Sequence, residues 1–302
     1  MILEVSHRTT YRYGRPVLRS QHLVYMTPRS SPRQTVHRHG LLIEPAPSAD
    51  VARDDYFGNR SALLTIEEPH AELIVHARST VEVHAPALPA PGATVPWEEV
   101  AARAATSDGA LDIGVLQFVS ASRHTEPVLV ALDYASTSFR PERPILEAAL
   151  DLTRRIHADF VFDSTATDIS TPVSHIFAAR RGVCQDFAHL AITCFRSLGL
   201  PVRYVSGYLL TLPPPGGEKL MGADASHAWV SVWVPEVGWV DLDPTNGVVP
   251  ADRHITVAWG RDFADVSPIS GVLLGGGRQR IDVAVDVGAA AQTRMLPTAS
   301  SP

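Results

Sequence analysis

The sequence predicts an α+β protein: a β-rich N-terminal stretch, followed by a segment in which amphipathic helices give way to short strands. Three observations carry this. Short runs rich in β-branched and aromatic residues, separated by breakers, fill the first 85 or so residues. From about Trp97 the apolar spacing becomes helical. Beyond Pro201 strand-like runs return, two of them close enough to form an antiparallel hairpin.

Ile2 to Tyr13 opens the β-rich part, and Leu41-Leu42-Ile43, Leu63 to Ile66 and Leu73 to Val75 are the short apolar runs of buried strands. Pro45-Ala46-Pro47 and Gly58-Asn59 break them. Val81 and Val83 alternate with polar neighbours and predict one more strand at Thr80 to His84. The Ala- and Pro-rich stretch from Ala85 to Pro96 reads as a linker. Pro144 begins an amphipathic helix through Ile145, Leu146, Ala149, Leu150 and Ile156. After a polar, turn-like interval from Asp163 to Thr171, a second helix is expected from Val183 to Leu198, stopped by Gly199 and Pro201. Strands are expected at 202–210, 228–234, 239–242 and 281–287. The domains implied are 1–85, β-rich; 86–140, a linker and helical connection; 141–287, carrying the chemistry; and 288–302, a disordered tail.

The chain has 302 residues, 45% of them hydrophobic and 19% charged, which is enough apolar material for a sizeable core. A net charge of −6 without long runs of one sign argues against a nucleic-acid partner. The local cluster Arg29, Arg33, His37, Arg38, His39 reads as a solvated loop or strand edge. No signal peptide and no apolar run of about 18 residues is visible, so neither secretion nor a membrane is implied. A cytoplasmic protein with reduced thiols is expected.

Two cysteines, Cys184 and Cys194, make neither a CxxC nor a disulfide framework. Cys194 falls in the apolar stripe of its helix and reads as a small buried hydrophobe. Cys184 stands where loop becomes helix, where unpaired N–H groups and the helix dipole favour a thiolate and could receive an oxyanion. Cysteines also occur near helix starts without reacting. On a strand, His227 shares a face with Trp229, Ser231 and Trp233. Pro235-Glu236-Val237-Gly238 then connects to Trp239-Val240-Asp241-Leu242-Asp243. A turn with an odd number of unpaired residues puts Asp243 near His227; an even one sends it to the valine face. Asp241 has the same parity and competes for the role.

Taken together, Gly182-Val183-Cys184-Gln185-Asp186-Phe187-Ala188-His189, Ser226-His227-Ala228-Trp229 and Gly238-Trp239-Val240-Asp241-Leu242-Asp243-Pro244-Thr245-Asn246 resemble the transglutaminase-like superfamily. Tyr204 to Tyr208 and Gly222-Ala223-Asp224 are similar to its bacterial branch, as are Tyr56-Phe57-Gly58-Asn59 upstream and Ala258 to Phe263 downstream. The resemblance implies a papain-like or transglutaminase-like core, with a nucleophile helix packed on an antiparallel sheet behind the β-rich domain. It implies a triad of Cys184 as nucleophile, His227 as general base and Asp243 as the group that orients it. The implied chemistry is attack on amide bonds through a thioester acyl-enzyme, in a protein or peptide substrate, with hydrolysis preferred to cross-linking. Asp224 and Trp229 are candidate substrate contacts.

No metal or cofactor is implied, because Asp186, His175 and His189 show no ligand rhythm around Cys184. A reading from another class is a non-catalytic protein-binding module that keeps the fold. The oligomeric state is not encoded in any feature of the sequence.

Overall fold

A computed structural model of the chain describes residues 1–106, 112–211 and 226–290. Five strands come first: β1 (Ile2–Val24), β2 (Gln34–Glu44), β3 (Ala49–Asp54), β4 (Arg60–Ile66) and β5 (His70–Val83). The helices α1 (Trp97–Ala105), α2 (Ile113–Leu116), α3 (Leu129–Ser136) and α4 (Ile145–Asp159) follow. Next come β6 (Val161–Phe162), α5 (Val173–Ala179), β7 (Arg181–Gly182) and α6 (Cys184–Ser197). Four strands form a second sheet: β8 (Val202–Leu209), β9 (Ser226–Val234), β10 (Gly238–Leu242) and β11 (His254–Gly260). The short α7 (Phe263–Val266), β12 (Ile269–Gly275) and β13 (Gln279–Ala289) complete the chain.

The first sheet is built on β1. Its early residues pair with β5 and β13, its late residues with β4 and β12, and the pairing with β5 shifts between Arg12 and Val17. One apolar cluster joins Ile43, Leu73 and Val75 to Val24, Leu64 and Ile66, so the sheet curls back on itself. The runs at Leu73 to Val75 and Thr80 to Val83 prove to be one strand, β5. Gly288 and Ala289, expected to open a disordered tail, instead pair with Glu4 and Leu3. Residues 291–302 lie outside the described residues. The strand expected at 281–287 exists and pairs with β1 in the first sheet, with Val285 and Val287 reaching the buried core that includes α6.

The second sheet is antiparallel in the order β10-β9-β8-β11. Its apolar face, with Ala228, Val230, Val232 and Val234, shares a buried core with Phe187, Leu190, Ala191 and Phe195 of α6. This is the helix-on-sheet layer that the resemblance implied. Helix α6 is buried on several sides, and Ala131, Tyr134 and Ala135 of α3 belong to the same core. Part of the stretch read as a connection is therefore packed core.

Strand β11 is the free edge of this sheet, and an open edge leaves backbone groups unpaired. Two buried carboxamides from the first domain close it. Gln34 donates from Nε2 to Thr256 O (2.7 Å) and accepts at Oε1 from Thr256 N (2.8 Å). Asn59 does the same with Trp259: Nδ2 to O at 2.8 Å, and N to Oδ1 at 2.9 Å. A carboxamide has the donor and acceptor of a peptide, so each side chain acts as one residue of a missing strand. Beside them Arg29 stacks on Trp259 at 3.5 Å, Arg203 packs against Trp259 (3.7 Å) and Trp239 (4.5 Å), and Arg33 pairs with Asp241 at 3.0 Å. The basic cluster is therefore not simply solvated: Arg29 and Arg33 fasten the two domains.

Replacing Asn59 by Ala removes both contacts and leaves the Trp259 amide and carbonyl without these partners. Urea unfolding should register a loss of about 2–4 kcal/mol; a loss within about 0.5 kcal/mol would mean the edge is held elsewhere.

Candidate active site

Hairpin β9–β10 pairs Gly238 with Val234, Trp239 with Trp233, Asp241 with Ser231 and Leu242 with Val230. Pro235, Glu236 and Val237 remain unpaired, which is the odd register. Continued by one residue it sets Asp243 opposite Trp229, diagonal to His227 on the same face. His227 Nε2 and Asp243 Oδ2 lie 2.8 Å apart. Asp241, the competitor, is taken by Arg33.

Asp243 is fully buried, and its carboxylate is densely satisfied. Oδ2 meets His227 Nε2, Asn246 Nδ2 at 2.6 Å and His254 Nε2 at 3.2 Å. Oδ1 accepts from the backbone N–H of Thr245 (2.9 Å) and Asn246 (3.1 Å). The turn Pro244-Thr245-Asn246 thus wraps the carboxylate. Burial raises the Asp243 pKa, but hydrogen bonds from His227 and His254, with the His227 charge and Asn246, hold it well below the usual carboxylate range. Burial lowers the His227 pKa, yet bonding to Asp243 and Cys184, and their charges, push it up to about 10. With Nε2 engaged by Asp243, Nδ1 is the ring nitrogen left for Cys184.

The third element is the start of α6. Cys184 is its first residue and is half-buried. Asp186 caps the turn: Oδ2 accepts from Val183 N (2.8 Å) and from Thr167 Oγ1 (2.6 Å). A Cβ on Gly182 would stand 2.7 Å from that oxygen, which explains the glycine two residues before the nucleophile position. Cys194 is fully buried, and burial pushes its thiol up. His189 stacks on His124 and accepts from Phe263 N at 3.2 Å. Neither His189 nor Asp186 is thus turned to a metal beside Cys184.

Trp229 has no exposed surface. Its ring lies edge-on to His254 at 5.4 Å and tilted to His227 at 6.0 Å, so it presents no open face for the substrate contact expected of it. Room for the indole comes from Gly207, paired with His227, where a Cβ would lie 2.5 Å from the ring and 2.1 Å from Ile255 O. Asp224 lies outside the described residues. Sequence reasoning missed His254 and Asn246. Asn246 stood inside a quoted motif, whereas His254 carried no signal beyond its position eleven residues after Asp243. The ligand atoms of His227, Asp243 and His254 fall within 4.8 Å of one another, a spacing that could share an ion, although hydrogen bonding accounts for it.

Residues 3–82 match the model of the bacterial transglutaminase-like N-terminal region, and 133–244 that of the transglutaminase-like superfamily. An uncharacterized protein of Mycobacterium tuberculosis (strain H37Rv) is 44% identical over 94% of this chain and 91% of its own length. The chain belongs to the transglutaminase-like superfamily. An uncharacterized protein of Mycobacterium leprae is 32% identical over 94% of this chain and 98% of its own. A protein-glutamine gamma-glutamyltransferase of Pseudomonas aeruginosa is 37% identical over 35% of this chain and 16% of its own length. A solved structure named "Putative Cysteine Protease from Cytophaga hutchinsonii" shares the fold, with a TM-score of 0.74 at 21% identity over 96% of this chain and 91% of that one. Among the described residues no helix is long and apolar enough to cross a membrane.

Two outcomes test the site. Gly207→Ala should cost about 2–3 kcal/mol in urea unfolding through overlap with Ile255 and Trp229; a neutral result would show the β8–β11 spacing to be adjustable. The His227 pKa is raised on folding, so its stabilisation is full below about 6.5 and is lost as pH climbs through about 10. Wild type should therefore exceed His227→Gln by a few kcal/mol near pH 6, on the order expected for a shift of this size, with the gap closing towards pH 10. A gap that stays constant with pH would mean that no such ion pair forms.

Proposed function

We infer that this protein is an enzyme that breaks amide bonds through a thioester acyl-enzyme, with Cys184 as nucleophile, His227 as general base and acid, and Asp243 as the residue that orients the imidazole. Family membership supports a cysteine-dependent enzyme at the coarse level. The observation that carries the finer reading is the 2.8 Å contact between His227 Nε2 and the buried Asp243 carboxylate. That contact fixes the tautomer and leaves Nδ1 for the thiol at the start of α6.

In this mechanism the Sγ proton resides on Nδ1 of the His227 imidazolium, in keeping with a pKa pushed up to about 10, and the thiolate attacks the amide carbonyl. Negative charge on the carbonyl oxygen is received by the N–H groups of the first turn of α6, Cys184 among them, which have no partner within the helix. As the tetrahedral adduct collapses, Nδ1–H returns the proton to the departing nitrogen, and ammonia or an amine leaves. The thioester that remains is resolved by water, giving the acid, or by an amine, giving a new amide. Throughout, the Asp243 carboxylate stabilises the imidazolium and is itself held ionised by its other donors.

A protein or peptide substrate and hydrolysis remain the preferred reading. Acyl transfer to an amine is the second, favoured by the name of the Pseudomonas relative that matches part of the chain.

The test is to incubate the purified protein with a glutamine-containing peptide and a mixture of unstructured peptides, with and without a fluorescent primary amine. Ammonia release, peptide cleavage and amine incorporation are then followed. Cleavage or ammonia release that Cys184→Ala reduces at least about 1,000-fold supports the hydrolytic reading. Amine incorporation that outpaces hydrolysis moves the assignment to acyl transfer. No Cys184-dependent product, together with a Cys184 that iodoacetamide modifies no faster than a free thiol, would sink the catalytic reading.

A further inference from the structure

We propose that His254 is a positioning residue of the catalytic centre, a second histidine that donates from Nε2 to Asp243 Oδ2 and so aims the carboxylate at His227; this rests on the triad reading above. The two imidazoles approach one carboxylate oxygen from different strands. His227 comes from β9 at 2.8 Å and His254 from the first position of β11 at 3.2 Å.

The surroundings of His254 argue against a packing role alone. Its side chain is buried, it lies edge-on to Trp229 at 5.4 Å, and its Nδ1 is buried with no hydrogen-bond partner. The imidazole therefore loses solvent at both nitrogens and recovers one polar contact, the one to Asp243. A hydrocarbon side chain of similar size would fill the same space without that desolvation cost. What only the histidine supplies is an N–H directed at an ionised carboxylate. Because Asp243 accepts and donates nothing, Nε2 is the nitrogen that carries the proton toward it.

A carboxylate held by a single histidine can swing about its Cβ–Cγ bond. Here Oδ1 is fixed by the Thr245 and Asn246 amides, and Oδ2 by Asn246 Nδ2 and His254. That leaves Oδ2 one orientation, in line with His227 Nε2. The placing of His254 depends in turn on β11, whose backbone is gripped two and five residues later, at Thr256 and Trp259, by Gln34 and Asn59. The N-terminal domain thereby has a route to the catalytic centre through β11.

The experiment compares the rate of Cys184 alkylation by iodoacetamide near pH 6.5 in the full chain, mapped by mass spectrometry, with the thermal midpoint recorded for each variant. His254→Gln and His254→Met are similar in shape, but only Gln offers an N–H near the position of Nε2; His254→Phe keeps a ring and offers none. His227→Ala runs in parallel. Met and Phe are expected to slow alkylation about tenfold, the scale of one hydrogen bond to a charged group, while Gln stays within about threefold of wild type. Should Phe fail to fold, the Met and Gln pair carries the comparison. If Met and Phe react like wild type, or if all three variants slow equally, His254 only fills space and the proposal is overturned. If His227→Ala itself leaves the rate unchanged, the triad reading fails and this proposal falls with it. A slow His227→Ala beside a normal His254→Met removes only the role given to His254.

Discussion

The burial of one negative charge organises this molecule. Asp243 has no exposed surface, and an ionised carboxylate in that position is tolerable only when donors surround it. Those donors come from three places: His227 on β9, His254 on β11, and the turn that follows β10. No single segment supplies them. The hairpin register, the approach of β8 to β11 and the geometry of Pro244-Thr245-Asn246 must therefore all agree before the charge is satisfied. The cluster works as a keystone for the second sheet, and the group that it aims is the imidazole beside Cys184.

Close approach has its own requirements. Gly207 stands opposite His227 on β8, and a methyl group there would meet both the Trp229 ring and the Ile255 carbonyl. The missing side chain makes room for Trp229, whose ring lies against both histidines. Gly182 makes the matching concession on the other side, clearing room for Asp186 to cap the helix that begins with Cys184. Two glycines thus make room at the site, one beside the start of α6 and one opposite His227.

The first domain is more than an attachment. Edge strands usually gain neighbours through backbone pairing, but β11 gains side-chain carboxamides that imitate it. Carboxamides carry no charge, so Gln34 and Asn59 can be buried at the junction. The charged groups nearby, Arg29 and Arg203, lie flat on tryptophan faces, where burial lowers their pKa to about 10 and about 9. The C-terminal strands β12 and β13 return to pair with β1 and tie the end of the chain to its beginning. The second sheet is therefore enclosed in sequence by the domain that clamps its edge.

The sequence by itself determined the local elements and singled out the residues of the candidate centre. Helix α6 came within one residue of its expected ends because Gly199 and Pro201 stop it, and the α+β order followed from local periodicity. Cys184, His227 and Asp243 stood out because each lies in a contiguous motif. What only the tertiary structure decided were matters of register and of contacts between distant segments. The odd parity of the β9–β10 turn put both aspartates on the His227 face, and the register then set Asp243 diagonal to His227 while Asp241 pairs opposite Ser231 and is held by Arg33. His254 was invisible because its partner is eleven residues away across a turn, and a lone histidine at the start of a strand has no local signature. The strand 281–287 was found, but its place in the first sheet was not, since periodicity reports which face a residue takes and not which strand it will meet.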